Sequence, residues 1–146
     1  MALEILLVED DDDDAKLLQD TLLATNQNLR VHRVSDGVEA MAFLRYQKPY
    51  LDAPRPDIIL LDLNMPRMDG REVMAKVKDD PWLKTIPIIV LTSSQAEADI
   101  AQSYKLLANC YIAKPGELGA FEKLVKNLND FWLTNVLFHK AATSPD

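Results

Sequence analysis

The sequence predicts an α/β fold in which a parallel five-stranded sheet carries helices on both faces. Three continuous runs of Leu, Ile and Val, within residues 3–8, 57–62 and 86–92, have the pattern of strands that are buried on both faces of such a sheet. Segments with helical periodicity separate these runs. The alternation of strand and helix along the chain is typical of parallel sheets with right-handed crossovers.

The remaining elements follow in order along the chain. Residues 29–34, LRVHRV, alternate between apolar and polar side chains, which predicts a strand at one edge of the sheet, and residues 109–114 supply a fifth strand. Helices are predicted over residues 14–24, 37–47, 71–79 and 96–107, with a last helix from Glu117. In the second helix, Val38, Met41 and Ala42 are expected to face inward, and Phe43 and Leu44 are further candidates for the inward face.

Length, charge and cysteine content exclude several classes of protein. The 146 residues suit one domain, predicted over residues 1–138 and followed by a disordered tail at 139–146. The formal net charge of −7 argues against nucleic-acid binding, which needs a basic surface. A single cysteine allows no intrachain disulfide, and the N-terminal apolar run is too short for a signal peptide or a membrane span. We therefore expect a cytoplasmic protein that does not bind membranes.

Polar side chains stand at the carboxyl ends of four of the predicted strands. They are Glu9 and Asp10 after the first strand, Asp62 at the third, Thr92 at the fourth and Lys114 at the fifth. Because sites in open α/β sheets form beyond the carboxyl ends of the strands, we expect these side chains to converge. Carboxylates together with a backbone carbonyl make the oxygen-only site that Mg²⁺ prefers. The sequence therefore predicts a Mg²⁺ site at this edge.

The same side chains suit phosphoryl transfer. Asp62 can act as the nucleophile that forms an aspartyl phosphate. Lys114 and the hydroxyl of Thr92 can then neutralise or hydrogen-bond the phosphoryl oxygens, and such positioning does most of the work in this chemistry. The further carboxylates at residues 11–14 are expected at the start of the first helix, where they cap free N–H groups. Gly70 is expected to close the turn after the third strand through a positive φ.

Four motifs at these strand ends carry a family resemblance. They are VEDD after the first strand, LLDLNMPRMDG at the third, VLTSS at the fourth and YIAKP at the fifth. Together they resemble the receiver domain of two-component response regulators over about residues 3–130. The resemblance implies a flavodoxin-like (βα)5 fold with strand order 2-1-3-4-5.

The resemblance also implies roles in phosphorylation and metal binding. It makes Asp62 the phosphoacceptor and Asp10 a direct ligand of the metal. Glu9 would reach the metal through water, and Asn64 would offer its backbone carbonyl. The phosphoryl donor would be a sensor histidine kinase.

The resemblance further assigns a switch to the fourth and fifth strands. Thr92 matches the switch hydroxyl, and Tyr111 matches the aromatic switch position. Lys114 matches the phosphate-binding lysine, and the Lys114–Pro115 peptide bond is expected to be cis. Phosphorylation would then change the face formed by the fourth helix, the fifth strand and the fifth helix.

A narrower resemblance concerns the signalling pathway. The stretch that begins YLDAPRPD and the late motif FWL are similar to those of small single-domain regulators that partner bacterial phytochrome histidine kinases. This implies a phytochrome kinase as the phosphoryl donor. Because no output domain follows the receiver in the sequence, we expect the protein to act through protein contacts.

The last helix, predicted over residues 117–138, is expected to overhang the sheet. At about 1.5 Å per residue it would be roughly 33 Å long, whereas strands in small sheets span about 17–20 Å. An exposed apolar end would mark a protein interface. The candidate residues for a homodimer interface are Leu128, Phe131, Trp132 and Val136. The alternative is a tail that folds back over its own core.

Three functions other than a phosphorylation-switched regulator remain open. A dimeric adaptor that works without phosphorylation is compatible with the same fold. An aspartyl-phosphate phosphatase needs a second aspartate two residues after its nucleophile. Asn64 occupies that position and cannot act as an acid or base, so a phosphatase is disfavoured. A flavin or nucleotide binder is disfavoured, since the four glycines form neither G-x-G-x-x-G nor a P-loop.

Overall fold

Strands and helices alternate along the whole described chain, as predicted. The structure is a computed structural model, and it describes residues 2–26, 28–93, 96–106 and 108–133. The strands are β1 (Leu3–Val8), β2 (Leu29–Val34), β3 (Ile58–Leu61), β4 (Ile88–Thr92) and β5 (Cys110–Ala113). The helices are α1 (Asp12–Thr25), α2 (Gly37–Leu44), α3 (Gly70–Lys78), α4 (Glu97–Lys105) and α5 (Leu118–Leu128), and a π-helical segment, Asn129–Leu133, continues α5.

The strands form one parallel sheet in the order β2-β1-β3-β4-β5, which confirms the predicted topology. β2 lies at an edge of the sheet, as its alternating sequence predicts. At the carboxyl end of β1, Val8 lies level with Val34 of β2 and with Leu61 of β3. The residues that follow β1 and β3 therefore leave the sheet side by side.

Two hydrophobic cores lie on opposite faces of the sheet, because successive residues of a strand point to opposite faces. Leu6 and Val8 belong to the core that includes residues of α2 and α3. Ile5 and Leu7 belong to the core that includes residues of α1 and α5. Burying one such side chain stabilises the fold by roughly 1.5–3 kcal/mol. The continuous apolar sequence of β1 is thus needed to fill both cores.

Helix ends differ from the predicted ones where caps and turns decide them. α1 begins two residues earlier than predicted, because the carboxylate of Asp11 caps it by accepting a hydrogen bond from the N–H of Asp14 at 2.9 Å. α2 ends at Leu44, and Tyr46 beyond it has a φ of 56°. The prediction that Val38 faces inward was wrong, because Val38 is exposed, whereas Met41, Phe43 and Leu44 are buried, as the sequence suggested.

The last helix begins within one residue of its predicted start. Helical structure then continues through α5 and the π-helical segment as far as Leu133. Residues 134–146, with the predicted helix end and tail, lie outside the described residues, so the domain bounds stay predictions. Within the part of the chain that the structure describes, no helix has the length and apolar character needed to cross a lipid bilayer.

Candidate functional site

Three carboxylates meet at the carboxyl edge of the sheet. Glu9 and Asp10 follow β1, Asp62 follows the adjacent β3, and each can place an oxygen within 4.8 Å of the other two. Glu9 and Asp62 are buried, and Asp10 is exposed. Negative charges at this separation repel one another, most strongly where water is excluded. The three carboxylates therefore need neighbouring cations to offset their repulsion.

Lys114 supplies one cation from the end of β5. Its Nζ donates a hydrogen bond to Glu9 Oε1, to Asp14 Oδ2 at 3.0 Å and to Asp62 Oδ2 at 3.5 Å. The backbone N–H of Lys114 donates to the carbonyl of Thr92 at 2.7 Å, which fixes the start of its side chain beside β4. The structure thus unites Glu9, Asp10, Asp62 and Lys114, as the sequence predicts.

Burial and neighbouring charges both shift the pKa values of this cluster. Burial raises the pKa of the Glu9 carboxyl group; the hydrogen bond from Lys114 opposes the rise, and the charge of Asp62 adds to it. Burial by itself would lower the pKa of Lys114, but its hydrogen bond to Glu9 and the charge of Asp62 raise that pKa above its usual value. Lys114 therefore stays charged at neutral pH, and the surrounding carboxylates can still accommodate a second cation.

The cluster fits a hard divalent cation. Glu9, Asp10 and Asp62 form a group of carboxylates only, and carboxylate oxygens are ligands that Mg²⁺ and similar ions prefer. The backbone N–H of Asn64 lies 3.4 Å from Asp62 Oδ1, which keeps residue 64 beside the Asp62 carboxylate. Metal binding through the Asn64 carbonyl, and through water at Glu9, stays a prediction.

Thr92 is a buried hydroxyl at the end of β4, the strand next to β3. It is fully buried, and its Oγ1 has no hydrogen-bond partner among the residues that the structure describes. Leaving a buried hydroxyl unpaired costs about 1–3 kcal/mol. Such a group is suited to donate a hydrogen bond to an oxygen that arrives at this edge, as the predicted switch role requires.

Gly70 allows the chain after β3 to pack closely against the backbone of Asp62. Its N–H donates to the carbonyl of Leu63 at 2.8 Å. A Cβ at residue 70 would lie 2.4 Å from the carbonyl oxygen of Asp62 and 2.8 Å from the Cα of Leu63. The predicted positive φ at Gly70 was wrong. Glycine is needed here because two backbone segments approach each other.

An ion pair joins the loop after β3 to α2. Arg67, which has a φ of 65°, donates from Nε and Nη2 to Asp36 Oδ2 at 2.8 and 2.6 Å. Asp36 also caps α2 by accepting a hydrogen bond from the N–H of Glu39 at 2.9 Å. Burial tends to raise the pKa of Asp36, but the hydrogen bonds from Glu39 and Arg67 hold it below its usual value. No local motif in the sequence indicates this pair.

The predicted cis bond between Lys114 and Pro115 was wrong. Among the described residues, the cis peptide bond is Lys48–Pro49. The trans form of an X–Pro bond is more stable by about 0.5–1 kcal/mol, and Lys114 reaches its carboxylate partners with a trans bond. Tyr111 is half-buried and packs against the core that includes residues of α2 and α3. Its role as a switch stays a prediction.

Two partners of the site were missed by reasoning from the sequence. Asp14 precedes Leu17 by three residues and Leu18 by four, so it lies on the inward stripe of α1, and this spacing could have identified it. Arg33 donates from Nε to the carbonyl of Glu9 at 2.9 Å and pairs with Asp12 at 2.9 Å. That contact depends on the register between β2 and β1, which the local sequence does not specify.

The predicted dimer residues divide into three groups. Phe131 is 60% exposed, and its ring lies edge-on to that of the half-buried Trp132 at 5.9 Å. Leu128 was wrongly assigned to the interface, because it faces the protein's own core and is only 4% exposed. Val136 lies outside the described residues. Phe131 and Trp132 therefore remain the candidates for a protein interface.

Comparison with known proteins agrees with the fold and the carboxylate cluster. Residues 5–128 match the family described as Response regulator receiver domain. The chain is 46% identical over 132 residues, 90% of either chain, to Response regulator Rcp1 from Synechocystis sp.. The crystal structure of the phosphorylated cyanobacterial phytochrome response regulator RcpA superposes with a TM-score of 0.92 at 46% identity, over 96% of this chain and 100% of that one. The Mn²⁺-bound form of Rcp1 has a TM-score of 0.90 at 45% identity, over 94% and 99%.

Proposed function

This chain belongs to the response regulator receiver domain family, and from that premise we propose that it accepts a phosphoryl group on Asp62 from a sensor histidine kinase. The observation that carries the proposal is the position of the Asp62 carboxylate. It lies within metal-sharing reach of Glu9 and Asp10, and 3.5 Å from Nζ of Lys114. A nucleophile between two cationic positions is what phosphoryl transfer to a carboxylate requires.

The residues around Asp62 have separate parts in the transfer. An Asp62 oxygen attacks the phosphorus of a phosphohistidine, the bond between phosphorus and the imidazole nitrogen breaks, and that nitrogen keeps the electron pair and takes up a proton. Lys114 stabilises the negative charge on the phosphoryl oxygens. Mg²⁺, held by Asp10, Asp62 and the Asn64 carbonyl and, through water, by Glu9, would supply a second positive charge against those oxygens.

Thr92 and Tyr111 would convert phosphorylation into a change of surface. The Thr92 hydroxyl, which has no partner among the described residues, gains one when it donates to a phosphoryl oxygen. Movement of Thr92 then allows Tyr111 to repack, and the face formed by α4, β5 and α5 changes. The added negative charge thus biases an element between two arrangements, as is general for phosphorylation switches.

The proposed pathway is phytochrome light signalling in the cytoplasm. Its support is the similarity to RcpA, which is a phytochrome response regulator. The phosphoryl donor would accordingly be a bacterial phytochrome histidine kinase. A nucleic-acid partner is not expected at a formal net charge of −7.

We infer a signalling role and not an enzymatic one. An aspartyl-phosphate phosphatase requires a carboxylate that shuttles protons two residues after its nucleophile. The amide of Asn64 cannot exchange protons in this way. Turnover of an added phosphate ester, followed by release of inorganic phosphate, would contradict the inference.

The proposal is tested by incubating the protein with acetyl phosphate and Mg²⁺ and measuring its intact mass. We expect the addition of one phosphoryl group. The Asp62→Asn variant and a sample with excess chelator should both stay unmodified. Full modification of Asp62→Asn would refute the assignment of the phosphoacceptor.

A phosphorylation-independent dimeric adaptor is the second candidate function. It is favoured by the exposed Phe131, which a partner copy could cover. Sedimentation of the wild type and of Asp62→Asn, with and without acetyl phosphate, separates the two functions. An adaptor predicts the same dimer in all samples, whereas a switch predicts a change in the phosphorylated wild type only.

A further inference from the structure

Lys114 is surrounded by as many carboxylates as it has N–H bonds. An ammonium group carries three N–H donors. In the structure, all of them are directed to carboxylates: Glu9, Asp14 at 3.0 Å and Asp62 at 3.5 Å. A phosphoryl oxygen on Asp62 can therefore bind Lys114 strongly only if another acceptor gives way.

Asp14 is the carboxylate that can give way at the lowest cost. Its side chain is 33% exposed, whereas that of Glu9 is 2% exposed. Asp14 also lines a cavity of about 340 Å³ together with Ser93, Lys114 and Glu117, among others. Water in this cavity can replace Lys114 as a hydrogen-bond partner of Asp14. Glu9, in contrast, would lose its charged partner in a buried position and would keep only the hydrogen bond from the N–H of Asp11 at 3.1 Å among the described residues, which is costly for a charged group.

We propose that Asp14 is a positioning residue that competes with the phosphoryl group on Asp62 for the ammonium group of Lys114. The inference rests on the proposed function, since it concerns the same site. Asp14 draws Nζ toward the first turn of α1, and its charge repels an incoming anion. Both effects weaken the hold of Lys114 on a phosphoryl group, and the loss of Asp14 should strengthen it.

The test uses beryllofluoride, whose fluorides stand for phosphoryl oxygens when beryllium binds an aspartate oxygen. Bound beryllofluoride is measured by ¹⁹F NMR at saturating Mg²⁺. We expect Asp14→Asn to raise the affinity about two- to fivefold, since Asp14 is partly exposed and single ion pairs open to water contribute little. Asp14→Glu, which restores the charge, should return the affinity toward that of the wild type.

Asp13→Asn is the matched control. It removes the same charge from the same turn of α1, at an exposed residue that makes no described contact with Lys114. We expect less than about half of the effect of Asp14→Asn, because charges in water are strongly screened. Equal effects of the two variants, or weaker binding by Asp14→Asn, would overturn the inference.

Failure of the proposed function gives a different result. If the wild type and Asp62→Asn bind beryllofluoride equally, or if neither binds it, the phosphoacceptor assignment fails and the inference falls with it. Thermal unfolding followed by circular dichroism shows whether each variant is folded. A merely structural role of Asp14 would lower both the melting temperature and the affinity, and would therefore also contradict the inference.

Discussion

Glu9 and Thr92 are buried polar groups at the carboxyl edge of the sheet, and the described residues compensate neither of them fully. Glu9 shares one ammonium group with Asp14 and Asp62. The hydroxyl of Thr92 has no partner among the described residues. Buried polar groups destabilise a fold unless they are hydrogen-bonded. Both residues thus lower the stability of the folded protein but are available to interact with a ligand. The loss of stability can be measured at each residue.

Replacing Thr92 by Val should separate stability from ligand binding. The variant removes an unpaired hydroxyl, so we expect its free energy of unfolding to rise by up to about 1 kcal/mol in the absence of Mg²⁺. Its affinity for beryllofluoride should fall, since the ligand loses a donor. Urea denaturation and ¹⁹F NMR measure the two quantities.

Ser103→Ala is the control for Thr92→Val. Ser103 in α4 is also fully buried, with a hydroxyl that has no partner among the described residues. Its replacement should likewise leave stability unchanged or raise it, but the affinity for beryllofluoride should stay the same. An unchanged affinity in Thr92→Val would remove Thr92 from the site.

The raised pKa of Glu9 predicts that the stability of the protein depends on pH in the absence of divalent ions. Burial raises its pKa from 4.5 to about 7, so the folded protein holds this proton more tightly than the unfolded chain does. Its contribution to the free energy of unfolding is fully present below the lower pKa and is lost as the pH rises through the higher one. We expect a loss of roughly 1–3 kcal/mol.

The contribution of Glu9 is isolated by comparing the wild type with Glu9→Gln. Urea denaturation with excess chelator, from pH 4.5 to pH 8, gives the free energy of unfolding of both proteins. The wild type should lose stability relative to the variant across this range. If the free energies of unfolding of the two proteins changed in parallel with pH, ionisation of Glu9 would not destabilise the folded state.

At the scale of helices and strands, apolar runs were more predictable from the sequence than helix ends. A strand such as β3 is fully buried on both faces, so its run of Ile and Leu identifies it directly. A helix end depends on contacts with other parts of the chain. α2 stops at Leu44 where the chain turns at Tyr46. α3 starts at Gly70, where the carboxylate of Asp69 caps it and a Cβ would meet the backbone of Asp62.

Gly70→Ala should damage both the start of α3 and the site. The new Cβ would meet the backbone of Asp62 and Leu63, which cannot move aside as a flexible side chain could. We expect a loss of about 1–3 kcal/mol in the free energy of unfolding, together with weaker phosphorylation by acetyl phosphate.

Gly119→Ala provides the matched comparison in α5. The nearest atom to a Cβ at residue 119 lies 3.5 Å away, so the methyl group fits without a clash. Alanine favours the helix, and we expect the variant to gain about 0.5–1 kcal/mol with unchanged phosphorylation. A Gly70→Ala variant as stable as Gly119→Ala would show that the loop after β3 is not closely packed.

At the scale of the whole molecule, the sheet topology explains which site residues the sequence could predict. Glu9, Asp62 and Lys114 each stand at a strand end, and a parallel sheet brings all such ends to one edge. Asp14 and Arg67 reach their partners from a helix and a loop. Their contacts depend on distances between elements, which local periodicity does not encode.

The exposed Phe131, together with the half-buried Trp132 in the π-helical segment after α5, predicts a dimer that one charge should disrupt. Phe131 is 60% exposed, and its ring contacts that of Trp132, which packs against the core that includes residues of α1 and α5. A glutamate at residue 131 would be buried without a partner in a dimer interface, so Phe131→Glu should weaken dimerisation about tenfold or more. Leu118→Glu is the control, because Leu118 is 62% exposed at the opposite end of the same helix. Sedimentation velocity over a range of concentrations measures both dissociation constants, and equal weakening by the two variants would mean that the dimer does not form through Phe131 and Trp132.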